Sequence, residues 1–499
     1  MLTFGTAGIR AILGHQAKQL NHSHIIYVAD GLARYLLKTF PNARQKGVVI
    51  GRDNRKMSYQ FAKMVCYILA KKYKIKVYIS QNLFATPLVS YAIGKLQAIA
   101  GVNITASHNP KEYNGIKIYN QAGYQILDHE VEKLSKFFRK VSKFSKRKIK
   151  WQKIHFDQKR IIKIDYLQQE YVKELANFVE VDSSWEPTFT YSPLHGCGAK
   201  MASLLAKEAN VKLAYVSEQM PASTKFHFAS KPNPEELEVY QLIEKKMLEN
   251  NIDYGFVTDP DADRLGVIEK LPNNTFYHFS GNEQASLLVY FLLKNKHFST
   301  NPLIIYSFVS SSLPALIASK NNIKSMIVPT GFKWIGEQIV GHQGSVFAFE
   351  ESYGSLIFPQ LSLDKDAFQI MYYFWKILKN QDISLKKTLD LIYQKYGFVQ
   401  TQVNSFNFKG EQKLINQYFD EFLETDFGLP IEEIVDYRKN NEKMIQIFFK
   451  NKSWVALRPS GTEAKVKLYI FSIASSSQIA IDNSNLIAKK VEGIFTKNE

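Results

Sequence analysis

The sequence predicts an α/β protein that ends in a smaller α+β region. Over most of its length, short apolar strand-like runs alternate with amphipathic helical patterns, the signature of βα units and mostly parallel sheets. The last stretch changes character: a helix, three strand-like runs and a closing helix replace the alternation. The 499 residues, 45% hydrophobic and 22% charged, make an ordinary globular composition and suffice for about three or four domains of roughly 150 residues.

In chain order, VVIGRD (48–53) ends a strand and MSYQFAKMVCYILAKKY (57–73) is the amphipathic helix after it. KVYIS, TPLVSYAIG and AIAGVNIT continue as strand, helix and strand, with the last run ending at Ile104. A polar, basic stretch around 140–160 interrupts the pattern, and DYLQQEYVKELANFVE is a helix that closes the first region. A second α/β region opens at TFTYSPLHGCG and contains IDYGFVTDPDADR. A third opens near LIIYSFVSSS, contains SMIVPTGFKWIG and SVFAFEESYG, and continues into helices at DAFQIMYYFWKILKN and SLKKTLDLIYQKY. MIQIFFK, SWVALR and AKVKLYIFS are the strands of the terminal α+β region. No fixed-period repeat is visible.

The formal net charge is +18 and the isoelectric point about 9.4. The best nucleic-acid patch is RKVSKFSKRKIKWQK (139–153), but no helix-turn-helix, zinc-finger or RNP pattern accompanies it, so no nucleic-acid partner is expected. A positive field that draws in small anions fits better. Cys66 and Cys197 are the only cysteines, which points to a reducing compartment and against a Cys-rich metal site. The N-terminus lacks a basic segment followed by an apolar one, and no apolar run approaches the roughly 20 residues that span a bilayer. The expectation is a cytoplasmic protein with no membrane partner.

Four short motifs carry chemistry. In GVNITASHNP (101–110) a buried strand stops at a turn, because Pro110 pushes Asn109 away from helical dihedrals. That presents Ser107 at a strand mouth beside His108. In TDPDADRLG (258–266), Asp259, Asp261 and Asp263 stand two apart, so an extended loop would project all three to one side. Crowded carboxylates raise each other's pKa, and a hard divalent cation such as Mg²⁺ relieves that repulsion. A Ca²⁺ loop of EF-hand type is excluded, since Arg264 and Lys270 stand where Gly and Glu are required. A plain surface acidic turn has the same sequence look.

RPSGTEAK (458–465) lies between two strand-like runs and so forms a tight turn at a sheet end. Arg458 there can grip phosphate bidentately, with Ser460, Thr462 and the amides around Gly461 as further donors. A hairpin turn with incidental hydroxyls is the plainer alternative. FEESYG (349–354) ends a strand, and an ionised Glu350 can accept hydrogen bonds from two neighbouring hydroxyls of a sugar.

Together and in this order, TASHNP, DPDADR, FEESYG and RPSGTE resemble the signature loops of the α-D-phosphohexomutase superfamily, the phosphoglucomutases and phosphomannomutases. FGTAGIR, ATPLVSYAI, PNPE, GNE, TGFKWIG and DKD also look like segments of that family, so the resemblance runs from Phe4 to about Tyr469. It implies three similar mixed α/β domains and a smaller C-terminal α+β domain around one central cleft. The expected divisions are 1–182, 183–300, 301–400 and 401–499. Ala11 and Ala367 stand where the family usually has Gly, and SPLHGCG varies a segment often written with Thr and Val.

The resemblance also implies roles. Ser107 is expected to be the phosphoryl carrier, with His108 beside it, Arg10 neutralising phosphate charge and Lys117 a candidate general acid/base. Asp259, Asp261 and Asp263 would hold one Mg²⁺ with a phosphoserine oxygen of Ser107, and Arg264 would stabilise the group in transit. Glu350, Ser352, Gly331, Phe332 and Lys333 would bind sugar, and Arg458, Ser460, Gly461 and Thr462 the non-reacting phosphate. The implied reaction interconverts hexose 1-phosphate and hexose 6-phosphate, glucose or mannose, through a hexose 1,6-bisphosphate, by a monomer or homodimer. A phosphopentomutase acting on ribose or deoxyribose 1-phosphate is the alternative within the superfamily. A phosphatase of the haloacid-dehalogenase type fits the strand followed by Asp259 and Asp261. It expects Thr or Val where Asp263 stands and leaves Ser107 idle.

Overall fold

The computed structural model describes residues 8–138, 159–179, 185–379, 383–407, 412–440, 443–459 and 465–496. The basic segment 139–153 and three expected phosphate ligands, Ser460, Gly461 and Thr462, lie outside the described residues. Among the described residues the strands form four sheets.

The first sheet holds β1 (Ile9–Ile12), β2 (Val48–Arg52), β3 (Val77–Ile79), β4 (Ala100–Ile104), β5 (Tyr113–Tyr119) and β6 (Ile161–Lys163), in the order β1-β5-β4-β2-β3-β6. The second holds β7 (Thr188–Ser192), β8 (Lys212–Tyr215), β9 (Tyr254–Thr258), β10 (Leu265–Lys270) and β11 (Phe276–Phe279), in the order β11-β10-β9-β7-β8. The third holds β12 (Leu303–Ser307), β13 (Lys324–Val328), β14 (Val346–Glu350) and β15 (Gly354–Leu356), in the order β13-β12-β14-β15.

These sheets share one plan. Three parallel strands are followed by a hairpin that sends the next strand back antiparallel: β4 to β5, β9 to β10, β14 to β15. Each hairpin is one of the chemical motifs. TASHNP, DPDADR and EESY are therefore equivalent turns, each at the C-terminal end of a parallel strand, where open α/β sheets place their ligands. Parallel pairings outnumber antiparallel ones in the first and third sheets, and the mixture is the one that the resemblance implies. All three are mixed because the motif turns are too short for the crossover that a parallel return requires.

The fourth sheet holds β16 (Phe398–Asn407), β17 (Ile431–Asp436), β18 (Ile445–Phe449), β19 (Trp454–Pro459) and β20 (Lys465–Ala474), antiparallel throughout. Helices Gln412–Glu424 and Ser477–Thr496 belong to the same region, which makes it α+β as expected. Its partner in the core is the third unit: Trp454 Nε1 donates to Ser312 Oγ at 2.9 Å and Gln446 Nε2 to the Phe308 carbonyl at 3.1 Å.

One helix ties the molecule together. Ala367–Leu378, AFQIMYYFWKIL, is apolar around nearly its whole circumference, and nearly all of it is buried, as such a helix must be. Trp375 stacks on Phe189 of the second sheet and meets Phe256 edge-on, both with ring centres 6.1 Å apart. Asp366 caps this helix by accepting from the amides of Phe368 and Gln369. Ala367 is its first residue, a position with ordinary helical dihedrals, which is why Ala is accommodated there. Helix Gly281–Lys294 packs on β14 and on helices Leu313–Ser319 and Leu385–Tyr396.

Candidate active site

The site grows from two motif turns that meet face to face. In the turn after β4, Ser107 is 1% exposed and takes a left-handed conformation, φ 50°, which costs an L-residue about 1–2 kcal/mol. Its amide donates to Thr105 Oγ1 at 2.8 Å, and its Oγ donates across the domain boundary to Asp259 Oδ2 at 2.9 Å. His108 Nδ1 lies 3.3 Å from the same Oγ. Burial, then the cations Arg264, Arg10 and Lys365, push the His108 imidazole well below its ordinary value, so it is neutral.

The DPDADR segment is a tight turn and not the extended loop expected from the spacing. The Ala262 amide donates to the Asp259 carbonyl at 3.0 Å and Ala262 has φ 54°. The amides of Asp263 and Arg264 donate to Asp259 Oδ1. The turn gathers the three carboxylates, so that one oxygen from each lies within 4.8 Å of the others, all buried.

Lys117, from β5, donates to Asp261 Oδ2 at 2.8 Å and Asp263 Oδ2 at 3.1 Å. Burial opposes its ammonium form, but Asp261 and Asp263 outweigh burial and hold its pKa above the ordinary value. Asp261 is likewise held below the usual carboxylate range, since Lys117 and a 2.6 Å hydrogen bond from Thr86 Oγ1 overcome burial. Asp259 is pushed well up by burial and by its two neighbours. Asp261 Oδ1 and Asp263 Oδ1 are buried without a hydrogen-bond partner. Three buried carboxylates with such spare oxygens, beside a serine hydroxyl, fit a small hard divalent cation.

The remaining expected residues divide. Arg10 Nη1 donates to Asn109 Oδ1 at 3.2 Å, which places it on the serine turn. Arg264 is buried and held by Glu235 Oε1 at 2.5 Å and Asn233 Oδ1 at 3.3 Å, both from PNPE. Glu350 ends β14, and its Oε1 accepts from the Gly331 amide at 2.7 Å. Gly331 needs its φ of 111° to aim that amide, a conformation essentially reserved for glycine. Ser352 is half-buried in the same turn.

Phe332 and Lys333 are less direct. Phe332 packs into the third sheet's apolar cluster with Ile335 and Val346. Lys333 Nζ is 2.6 Å from Asp128 Oδ1 and bridges to the first unit. Arg458 is half-buried at the end of β19, where it touches Tyr469.

Sequence reasoning missed three residues that the site uses. Lys365 Nζ lies 3.8 Å from Asp263 and 3.5 Å from Glu350, joining the acidic turn to the Glu350 turn. Thr86 carries the hydrogen bond to Asp261, and Arg55 fastens the serine turn from behind. Lys365 was in view as part of DKD, but its neighbours are set by a fold that brings together residues about a hundred positions apart.

Three family models match the chain: phosphoglucomutase/phosphomannomutase alpha/beta/alpha domain I over residues 1–144, domain II over 169–271 and domain III over 280–396. The phosphoglucomutase of Staphylococcus epidermidis is 32% identical over 99% of this chain and 94% of its own length. Among solved structures, the open form of parafusin, a phosphoglucomutase from Paramecium, superposes with a TM-score of 0.75 at 19% identity, covering 98% of this chain and 97% of its own. N-acetylphosphoglucosamine mutase from Aspergillus fumigatus, solved with GlcNAc-6P and magnesium, gives 0.56 at 14% identity, covering 99% and 96%. The protein is an enzyme of the mutase type, an isomerase of carbohydrate metabolism. With three consecutive domain models matched and a relative this similar along its whole length, the chain belongs to the phosphoglucomutase/phosphomannomutase family.

Proposed function

We propose that this enzyme interconverts hexose 1-phosphate and hexose 6-phosphate, glucose or mannose, by way of a phosphoserine at Ser107 and a hexose 1,6-bisphosphate. The observation that carries this is the contact between Ser107 Oγ and Asp259 within a buried carboxylate triad. The relatives above support the sugar class: one is named a phosphoglucomutase and another is solved with a phosphosugar and magnesium. None of those names points to a pentomutase.

In the forward step the P–O bond to Ser107 breaks and a P–O bond forms to a hydroxyl of the sugar monophosphate. Ser107 gains a proton and the sugar hydroxyl loses one, so the step balances. The bisphosphate then turns around and the reverse transfer reloads the serine. Neutral His108, at 3.3 Å from Oγ, would sit beside the serine as an uncharged polar neighbour, while the Ser107 hydroxyl proton points at Asp259 Oδ2. Lys117, an ammonium between two carboxylates, would neutralise the turn and stands as the candidate general acid/base for the reacting oxygen. Arg10 and Arg264 bring positive charge to the phosphoryl group, the main requirement of this chemistry.

Asp259, Asp261, Asp263 and a phosphate oxygen on Ser107 would hold one Mg²⁺, which when bound neutralises charge on the phosphoryl group. Glu350 would accept from sugar hydroxyls. Lys365 would sit between that contact and the acidic turn. Arg458, with Ser460, Gly461 and Thr462, would anchor the other phosphate. Each of the four units taken from the sequence, 1–182, 183–300, 301–400 and 401–499, thus supplies one turn.

Coupled assays with glucose 1-phosphate, mannose 1-phosphate, ribose 1-phosphate and deoxyribose 1-phosphate test the substrate. A pentose leaves part of the Glu350 and Ser352 set unpaired, at about 1–3 kcal/mol, so kcat/KM should favour the hexose roughly 5- to 150-fold. Equal or better turnover of a pentose 1-phosphate would transfer the assignment to a phosphopentomutase.

A further inference from the structure

We propose that Arg55 is the positioning residue of the transfer step, a buried clamp that fixes the serine turn from behind. The proposal rests on Ser107 being the phosphoryl carrier. Arg55 is 2% exposed and lies just beyond β2. Its guanidinium serves four carbonyls, three in the serine turn and one on the first residue of β5. Nη1 donates to Pro110 O at 2.8 Å and Tyr113 O at 3.2 Å. Nη2 donates to Asn109 O at 2.5 Å and also to Ser107 O.

The fork itself is held rigidly. Arg55 Nε pairs with Asp53 Oδ2 at 3.2 Å, and Asp53 accepts in turn from Ser58 Oγ at 2.7 Å and from the Arg55 amide. The guanidinium lies over the ring of Phe226, 5.3 Å from its centre. Beside it, Asn54 Nδ2 donates to the Ser223 carbonyl at 2.9 Å. Both Phe226 and Ser223 belong to the second unit's loop that continues to Asn233 and Glu235, the pair that holds Arg264.

Four carbonyls converging on one point repel each other, and of the backbone amides nearby the Tyr113 N–H reaches Pro110 O at 3.0 Å. A planar donor with five N–H groups answers that arrangement, whereas an ammonium offers three donors from one point. Fixing the Ser107 carbonyl fixes its left-handed backbone, and that backbone aims Oγ at Asp259. Arg55 touches no reacting atom. Its effect runs through the position of Ser107, where a displacement of about 1 Å costs on the order of 10²-fold in rate.

The test compares the wild type with Arg55→Lys and Phe226→Leu. The measurements are glucose 1-phosphate kinetics, the rate at which glucose 1,6-bisphosphate phosphorylates Ser107, and melting temperature. Arg55→Lys keeps the charge and loses the fork. Its kcat per phosphorylatable site should fall by about 10²-fold, with KM within roughly 3-fold because the turn does not bind the sugar. Phosphorylation of Ser107 should slow by the same factor as kcat. A purely structural role would lower the melting temperature and leave kcat per phosphorylatable site unchanged, which overturns the proposal.

Phe226→Leu removes only the aromatic face, so it covers the case in which Arg55→Lys does not fold. Its kcat should fall several-fold at constant KM, and a wild-type kcat there overturns the clamp. A wild-type enzyme that turns over with no phosphate on Ser107 overturns the phosphoserine reading and the clamp with it. A phosphorylated wild type beside a fully active Arg55→Lys overturns the clamp alone.

Discussion

Asp261 shows how a single residue is poised in this site. One of its oxygens takes Lys117 and Thr86, and the other is buried with no hydrogen-bond partner. Asp261→Asn keeps the shape, removes the charge and leaves Lys117 half-paired. Metal affinity should fall by at least about 10-fold and turnover by ~10²-fold or more. A chelator should abolish wild-type turnover and added Mg²⁺ restore it; an exhaustively metal-free preparation with normal turnover would make the turn structural. His195 offers a second test at this scale. Its Nδ1 lies 2.9 Å from the Pro221 carbonyl and its Nε2 accepts from the Phe228 amide at 3.3 Å, a neutral imidazole with both nitrogens engaged. Burial lowers its pKa from the ordinary 6.5. The unfolded chain therefore binds this proton more readily, so the stability His195 contributes is present above about pH 6.5 and is lost as pH falls. The melting-temperature gap between wild type and His195→Gln should shrink from pH ~7 to pH ~5. A gap that widens would mean the imidazole is charged when folded.

At the scale of elements, turns between strands do the work, and their neighbours leave them little room. Gly281 opens the helix Gly281–Lys294, and a Cβ there would overlap the Glu351 carbonyl oxygen and lie 2.7 Å from the Tyr353 amide. The GNE motif is thus a close approach between a helix start and the Glu350 turn. Gly281→Ala should fold but push that turn aside, lowering kcat/KM by about 10²-fold while metal affinity stays at the wild-type level. Unchanged kinetics would show that the turn tolerates displacement. The motifs themselves were legible because each packs unusual residues into a few positions at the end of an apolar run. β1 and β16 were not. β1 is a four-residue edge, and β16 is mostly polar in QTQVNSFN, with Val403 and Phe406 three apart and no period-two alternation, being held by its pairing with β20.

For the whole molecule, the repeated sheet plan explains why three turns from distant parts of the chain share one geometry. No sequence repeat reveals it, because the pairing order β5-β4-β2-β3 is matched in the second and third sheets by different apolar residues. The α/β class and the acidic and serine turns could be read from local pattern. The contacts of Arg55, Thr86 and Lys365 could not, since their partners, the Ser107 carbonyl, Asp261 and Asp263, are distant in sequence and only the fold brings them near. Contacts across the units then hold the turns in register: Leu265 N donates to Tyr353 O at 3.0 Å, and Tyr119 and Gln125 both donate to Asp364 beside Lys365. The central claim is that this assembly passes a phosphoryl group through Ser107. The most direct measurement maps phosphate on the purified enzyme after incubation with glucose 1,6-bisphosphate, and again after adding glucose 1-phosphate. The phosphate should reside on Ser107 and leave it for the sugar on the second addition, and Ser107→Ala should take up none and lose at least ~10³-fold in kcat. Phosphate on another residue, or full mutase activity in Ser107→Ala, would contradict the account.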